Sequence, residues 1–202
     1  KELLANFWES KQQNIHGILY IHHGMAEHIN RYKSFAEKLN SLGVHVIGHD
    51  HLGHGSNKEY GQGIFAKSSG WNKVCLEACK ITDYFHNLYP NLPVYIFGHS
   101  MGAFVSICSL KKIKNLKGAI LTGTFLPKSN QLFLLKLLLL IERRIFRLNE
   151  NSRVHTINFQ RLNSFFKNPR TSFDWLAKDV NVVDKYIHCL LYTSPSPRDL
   201  AV

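Results

Sequence analysis

The feature that most constrains this chain is the run Asn91-Leu-Pro-Val-Tyr-Ile-Phe-Gly-His-Ser-Met-Gly-Ala-Phe104, which holds the G-x-S-x-G pentapeptide Gly98-His99-Ser100-Met101-Gly102. Two glycines and a serine at these offsets also arise by chance, so the flanks decide. Val94-Tyr-Ile-Phe97 is a short β-branched and aromatic run suited to a buried parallel strand. Ala103-Phe-Val-Ser-Ile-Cys-Ser-Leu110 continues as an apolar helix with no Gly or Pro to stop it. Strand, one sharp turn and helix is the setting a nucleophile elbow requires. Gly98 and Gly102 remove side chains where neighbouring backbone must come close. Ser100 then stands at the tip of the turn and at a helix N-terminus, where free N–H groups and the dipole favour developing negative charge. The bland alternative, a strand–turn–helix joint with a solvated serine, fits these flanks less well.

The rest of the chain repeats the alternation. Phe7-Trp8 reads as the end of a strand, His16–His22 as a buried strand, and Arg31–Leu42 as an amphipathic helix ended by Gly43. Val44–Gly48 is the next strand, followed by the turn-rich loop Asp50-His-Leu-Gly-His-Gly-Ser56. Ser69–Tyr89 reads as a long helix, and Lys117–Gly123 as a further strand. Strands alternating with helices indicate βαβ units and a parallel sheet covered on both faces, an α/β fold. From Phe125 the pattern changes. Gln131–Leu148 carries a nearly unbroken apolar block, residues 149–170 are polar and loop-like, and Thr171–Leu176 and Val180–Tyr186 read as short helices.

Composition removes several function classes. With 202 residues, 45% hydrophobic and 12% aromatic, the chain is globular rather than disordered. The formal charge is +11, from 25 basic and 14 acidic residues. The basic residues are mostly scattered, with no zinc-finger, RNA-recognition or helix-turn-helix pattern, so nucleic acid is not an expected partner. The charge reads as a solvated surface, with attraction to an anionic membrane as a minor option. His22, His23, His28, His45, His49, His51 and His54 fall in strands and loops without H-E-x-x-H spacing, and no metal or cofactor is expected. Cys75 and Cys79 share a helical face but no second pair completes a zinc site; buried thiols in a reducing, cytoplasmic compartment are the expectation.

Three separated segments agree on a family. His23-Gly-Met-Ala-Glu-His28 with Arg31-Tyr32, then Asp50–Ser56, then Gly98–Gly102 together resemble the monoacylglycerol lipase and lysophospholipase branch of the α/β-hydrolase superfamily. Arg170–Leu176 followed by Asp184-Lys-Tyr186 is similar to a cap segment of bacterial members. The resemblance implies an α/β-hydrolase fold with a mostly parallel sheet and a helical cap. Residues 1–126 would form the first part of the core and 127–188 the cap. It also implies a serine hydrolase cleaving a carboxylic ester, a monoacylglycerol or lysophospholipid. Ser100 would be the nucleophile, and the backbone N–H groups of Met25 and Met101 the oxyanion hole. His23, Gly24, Gly98, His99 and Gly102 would support them, and the Met25 and Met101 side chains would line the pocket. Glu27 and Arg31 could brace the first loop, although a plain exposed ion pair is the preferred reading.

A serine hydroxyl needs a general base, and that base an orienting carboxylate. In this fold the chain order is serine, acid, histidine. After Ser100 only His155 and His188 remain, and Asp184 and His188 would sit side by side on one helix. The expectation is therefore that the acid and base lie beyond this chain. Cys189–Asp199 departs abruptly from the family pattern and is similar to a translated sequencing-library adapter, so native sequence is expected to end near Ile187 or His188, with 189–202 a non-native tail. On that reading the chain is an inactive, poorly soluble fragment with an incomplete sheet. Two other readings stand beside the hydrolase: a non-catalytic binding module on the same scaffold, and a membrane-surface protein using Leu132–Ile141 as peripheral anchor or as cover for a lipid-like substrate.

Overall fold

The computed structural model describes residues 4–124 and 162–189, with 129–130, 133–134, 137–138 and 141 between them. Five strands, β1 (Asn6–Trp8), β2 (Gly17–His22), β3 (Val44–Gly48), β4 (Val94–His99) and β5 (Leu116–Thr122), form one sheet in the order β1-β3-β2-β4-β5. The pairs β2–β3, β2–β4 and β4–β5 are parallel, and only the edge strand β1 runs antiparallel. Three helices belong to the core, α1 (Lys33–Asn40), α2 (Gly70–Leu88) and α3 (Met101–Ser109); α4 (Val180–His188) comes later in the chain.

The strand compositions explain this layering. β2 is buried at all six positions, because helices cover both faces of the sheet. Its odd-numbered side chains, Leu19 and Ile21, pack with Ile29, Ala36 of α1 and Val46. Its even-numbered ones, Ile18 and Tyr20, pack with Ile47 and with Ile81 and Phe85 of α2. α3 lies on the α2 side, where Met101 and Val105 join Leu52, Phe65, Val74 and Ala78. Because β3 and β4 flank β2 on opposite sides, the strand order reverses at β2. The carboxyl ends of β2 and β4 therefore border the crevice where open α/β sheets hold their ligands.

Several expected elements differ in detail. The helix expected from Arg31 opens as a tight 3-10 turn, Ile29–Tyr32, before α1, because the Asp50 carboxylate takes the Ile29 N–H at 2.8 Å and fixes the entry. Thr171–Leu176 yields only a 3-10 turn at Asp174–Leu176. There the Asp174 carboxylate accepts from both the Thr171 N–H, at 3.0 Å, and its hydroxyl, at 2.6 Å. Such local bonds compete with helical ones. Most of the apolar block Gln131–Leu148, with His155 and the tail from 190, lies outside the described residues.

The carboxyl end of the sheet has an unusual core. His22, His23, His49, His51 and His54 are all fully buried. Their rings pack on one another: His22 on His51 with centroids 5.7 Å apart and nearly parallel, His23 on His51 at 4.3 Å, and His23 on His54 at 5.3 Å. Burial, with the neighbouring His23 as second cause, brings His22 and His54 down to about 3. Burial also holds His49 and His51 well below the usual imidazole range. These rings act as neutral, flat filling of the core. Among the described residues, no group of three or more His, Cys, Asp or Glu is arranged to hold a metal ion.

Unfolded, each of these histidines titrates near 6.5. Below that pH the unfolded chain binds more protons than the folded one, so stability falls as the pH drops from about 6.5 toward about 3. Each such group steepens the fall by up to about 1.4 kcal/mol per pH unit. We expect the urea midpoint to decline steeply between about pH 7 and about pH 5, and His54→Asn to make that decline shallower. A midpoint that stays level over this interval contradicts the assignment.

Candidate active site

β4 ends at His99 and α3 starts at Met101, so Ser100 alone makes the turn between them. Its backbone has φ 52° and ψ −117°, a region that side-chain-bearing residues rarely occupy. Surrounding bonds hold it there. The Ser100 N–H donates to the Thr122 carbonyl at the end of β5, at 2.8 Å, and the Ala103 N–H returns to the Ser100 carbonyl at 3.0 Å. A Cβ on Gly102 would stand 2.0 Å from the His22 carbonyl oxygen and 2.5 Å from that of His23. One on Gly98 would stand 2.5 Å from Ser106 Oγ and 2.8 Å from Ala103 Cα. The two glycines thus let α3 lie directly on β4 and on the end of β2. His99 is turned toward β5, where its Nδ1 lies 3.1 Å from Thr122 Oγ1.

The loop after β2 meets this turn. β2 pairs with β4 so that His22 lies opposite Gly98, and a Cβ on Gly24 would come within 3.3 Å of the His99 carbonyl. Met25 and Met101 pack into the same apolar cluster, Met25 only partly buried. Met101 is buried among Leu52, Phe65, Val74 and Val105, so its side chain is core, not the pocket lining expected for it.

Three polar side chains fix the loop: His23, expected to support it, and Glu27 and Asp50, whose weight was less legible in the sequence. Glu27 is only 2% exposed. Its carboxylate accepts from the Gly24 N–H, from Arg31 at 2.7 Å and from the Tyr32 hydroxyl at 2.8 Å. The plain exposed ion pair is therefore corrected: Glu27 is an internal brace. The i, i+4 spacing to Arg31 carried the signal, but burial comes from the loop folding back over the carboxylate. His23 links two loops, donating from Nδ1 to the Gly24 carbonyl at 2.7 Å and accepting the His51 N–H on Nε2 at 3.0 Å. That fixes one neutral tautomer, and burial, opposed by Glu27, lowers its affinity for a second proton. Asp50 accepts from the Ile29 N–H, the Ser56 N–H and the Ser56 hydroxyl. Burial alone would raise its pKa, but these bonds outweigh it and hold the carboxyl below its usual value.

The base is not assembled among these groups. Among the described residues, Ser100 Oγ has no hydrogen bond to a histidine. His188 lies on α4 with Asp184, whose carboxylate is engaged by Arg170 at 2.6 Å.

The family described as serine aminopeptidase, S33, matches residues 13–198. A monoglyceride lipase homolog of monkeypox virus is 36% identical over 104 residues, covering 52% of this chain and 36% of that protein. The human monoglyceride lipase is 33% identical over 90 residues, covering 45% of this chain and 28% of its own length. The matched segments thus span about a third of these relatives. Among solved structures, a thermostable carboxyl esterase of Bacillus coagulans superposes with a TM-score of 0.84 at 24% identity, over 98% of this chain and 65% of that one. With a family match over most of its length and the mostly parallel sheet of an α/β-hydrolase fold, the chain belongs to the family described as serine aminopeptidase, S33.

Proposed function

We propose that this sequence carries the nucleophile and oxyanion half of a serine hydrolase of carboxylic esters, with a monoacylglycerol or lysophospholipid as substrate. The observation that carries the reading is Ser100 at φ 52° on a strand–helix turn, with Gly98 and Gly102 permitting the close packing beneath it. Ser100 Oγ would attack the ester carbonyl. The carbonyl oxygen, becoming negative, would be met by the Met101 N–H at the start of α3 and by the Met25 N–H in the loop after β2. Glu27 and His23 would hold that loop at its spacing from the elbow. The monoglyceride lipases that share about a third of the aligned residues support the substrate class.

Turnover also needs a base to take the Ser100 proton. For the chain as it stands we therefore expect no hydrolysis of a short-chain 4-nitrophenyl ester above the Ser100→Ala background. Hydrolysis abolished by that substitution would overturn the expectation of inactivity while supporting the nucleophile. The reaction itself is read by fluorophosphonate labelling of the protein as its source expresses it. We expect Ser100 to be labelled, Ser100→Ala to lose the label, and Glu27→Gln to slow it by about 10-fold to 100-fold through misplacement of the loop. A folded protein that takes no label would instead be a binding module.

One observation favours membrane contact as an accessory property. Phe133, Leu134, Leu137, Leu138 and Ile141 are helical and exposed, Phe133 by 71%. Their spacing places them on one helical flank. Among the described residues no helix is long and apolar enough to cross a membrane; the contact proposed here is peripheral. We expect co-sedimentation with anionic liposomes, weakened several-fold by Leu134→Asp with Leu138→Asp. Binding that these changes leave untouched rejects the assignment.

A further inference from the structure

Among the described residues, the non-glycine positions with positive φ are Ala26, Ser69, Ser100, Asn115 and Asn168. Asparagine visits the left-handed region readily, and Ser100 is the elbow itself. Ala26, at φ 55°, differs from the others in having no polar side-chain group to offset the crowding of its Cβ. It immediately follows Met25, its methyl is buried, and the chain on both sides is tied down. The Glu27 carboxylate reaches back to the Gly24 N–H, closing a ring over Met25 and Ala26, while Arg31 and Tyr32 hold the same carboxylate. The Met25 side chain rests on the cluster that contains Leu52, Phe65 and Met101. The Met25 N–H belongs to the Gly24–Met25 peptide, whose carbonyl accepts from His23 Nδ1 at 2.7 Å. In a trans peptide the N–H points away from the carbonyl, so His23 sets the direction of this N–H from behind. Among the described residues the Met25 N–H makes no hydrogen bond within the chain, a rare condition for a backbone donor in a partly buried loop.

We propose that Ala26 is a positioning residue of the oxyanion hole, its restricted left-handed backbone holding the Met25 N–H in the orientation that meets the developing negative charge. The assignment rests on the hydrolase reading above and adds to it a residue that touches neither substrate nor reacting atoms. A peptide plane turns only when the dihedral angles beside it change in compensation. His23 grips one side of the Gly24–Met25 plane through its carbonyl. On the other side, the left-handed well open to a residue with a Cβ is narrow, so Ala26 leaves little room for that compensation. Glycine at the same position would make the well broad. The bonds of Glu27 keep Ala26 in this unfavourable conformation, as strain at a functional loop requires. Removing the methyl therefore relieves strain and loosens the Met25 N–H at once, so stability and reactivity move in different directions.

The test compares the parent with Ala26→Gly, in the protein as its source expresses it, by urea midpoint, amide hydrogen exchange and fluorophosphonate labelling of Ser100. We expect the variant's urea midpoint to equal or exceed the parent's, because glycine adopts φ 55° without strain. Exchange should quicken in peptides covering residues 23–28 and stay unchanged in those of β4 and α3. The labelling rate at saturating probe should fall by about 3-fold to 10-fold, with the half-saturating probe concentration little altered. Labelling at the parent's rate overturns the proposal, as does exchange at the parent's rate in 23–28. Slower labelling accompanied by a lower urea midpoint also overturns it, since the methyl would then serve only packing. A parent that takes no label at Ser100 removes the hydrolase reading and this assignment together, whereas a labelled parent matched by its variant removes this assignment alone.

Discussion

Helix α3 can rest on the sheet only because nothing projects from Gly102 toward the end of β2. A single methyl there would fall 2.0 Å from the His22 carbonyl oxygen, far inside contact distance with backbone that has no alternative path. The contact sets the height of α3 above the sheet and with it the pitch of the turn at Ser100. β5 closes the arrangement from the other side, accepting the Ser100 N–H on the Thr122 carbonyl. The strained backbone of Ser100 is thus held between two parallel strands and a helix. Strain of this kind persists only where the surroundings over-determine it.

Around this turn the loops are ordered by charge and hydrogen bonding as well as by apolar packing. Glu27 and Asp50 each accept backbone N–H groups that no helix or strand would satisfy. Buried carboxylates are stable only with such partners, and charge-assisted bonds are the stronger ones. His23 joins the two loops by using one ring nitrogen as donor and the other as acceptor. The loop that carries Met25 is thereby held in place by its own polar bonds, as the oxyanion role proposed for it requires.

The same region concentrates imidazole rings that must stay neutral. A histidine contributes a flat ring and a polar edge to a tight space, at the expense of stability in acid. The fully buried rings at the ends of β2 and β3 are held below the usual imidazole range by burial, which ties the stability of this region to their staying neutral. On the opposite side of the sheet's centre, β5 shows the contrary character, with Ile120 59% exposed.

The sequence by itself determined the local grammar. The β-branched run before Gly98 and the uninterrupted apolar run after Gly102 give strand, turn and helix from short-range sterics alone, and the same reasoning placed β2, β3, α2 and β5. It also singled out Ser100, because a glycine-flanked serine between those elements has few other uses. Tertiary structure decided what depends on distant atoms meeting. Glu27 is a buried brace, not a surface partner of Arg31, because Gly24 and Tyr32 close on the same carboxylate. Asp50 governs the start of the first helical turn from 21 residues away. Met101 turns inward because α2 and the loop at Leu52 and Phe65 wall it in. Spacing along the chain encodes which face a residue occupies; which other face it will meet is fixed only when the layers close.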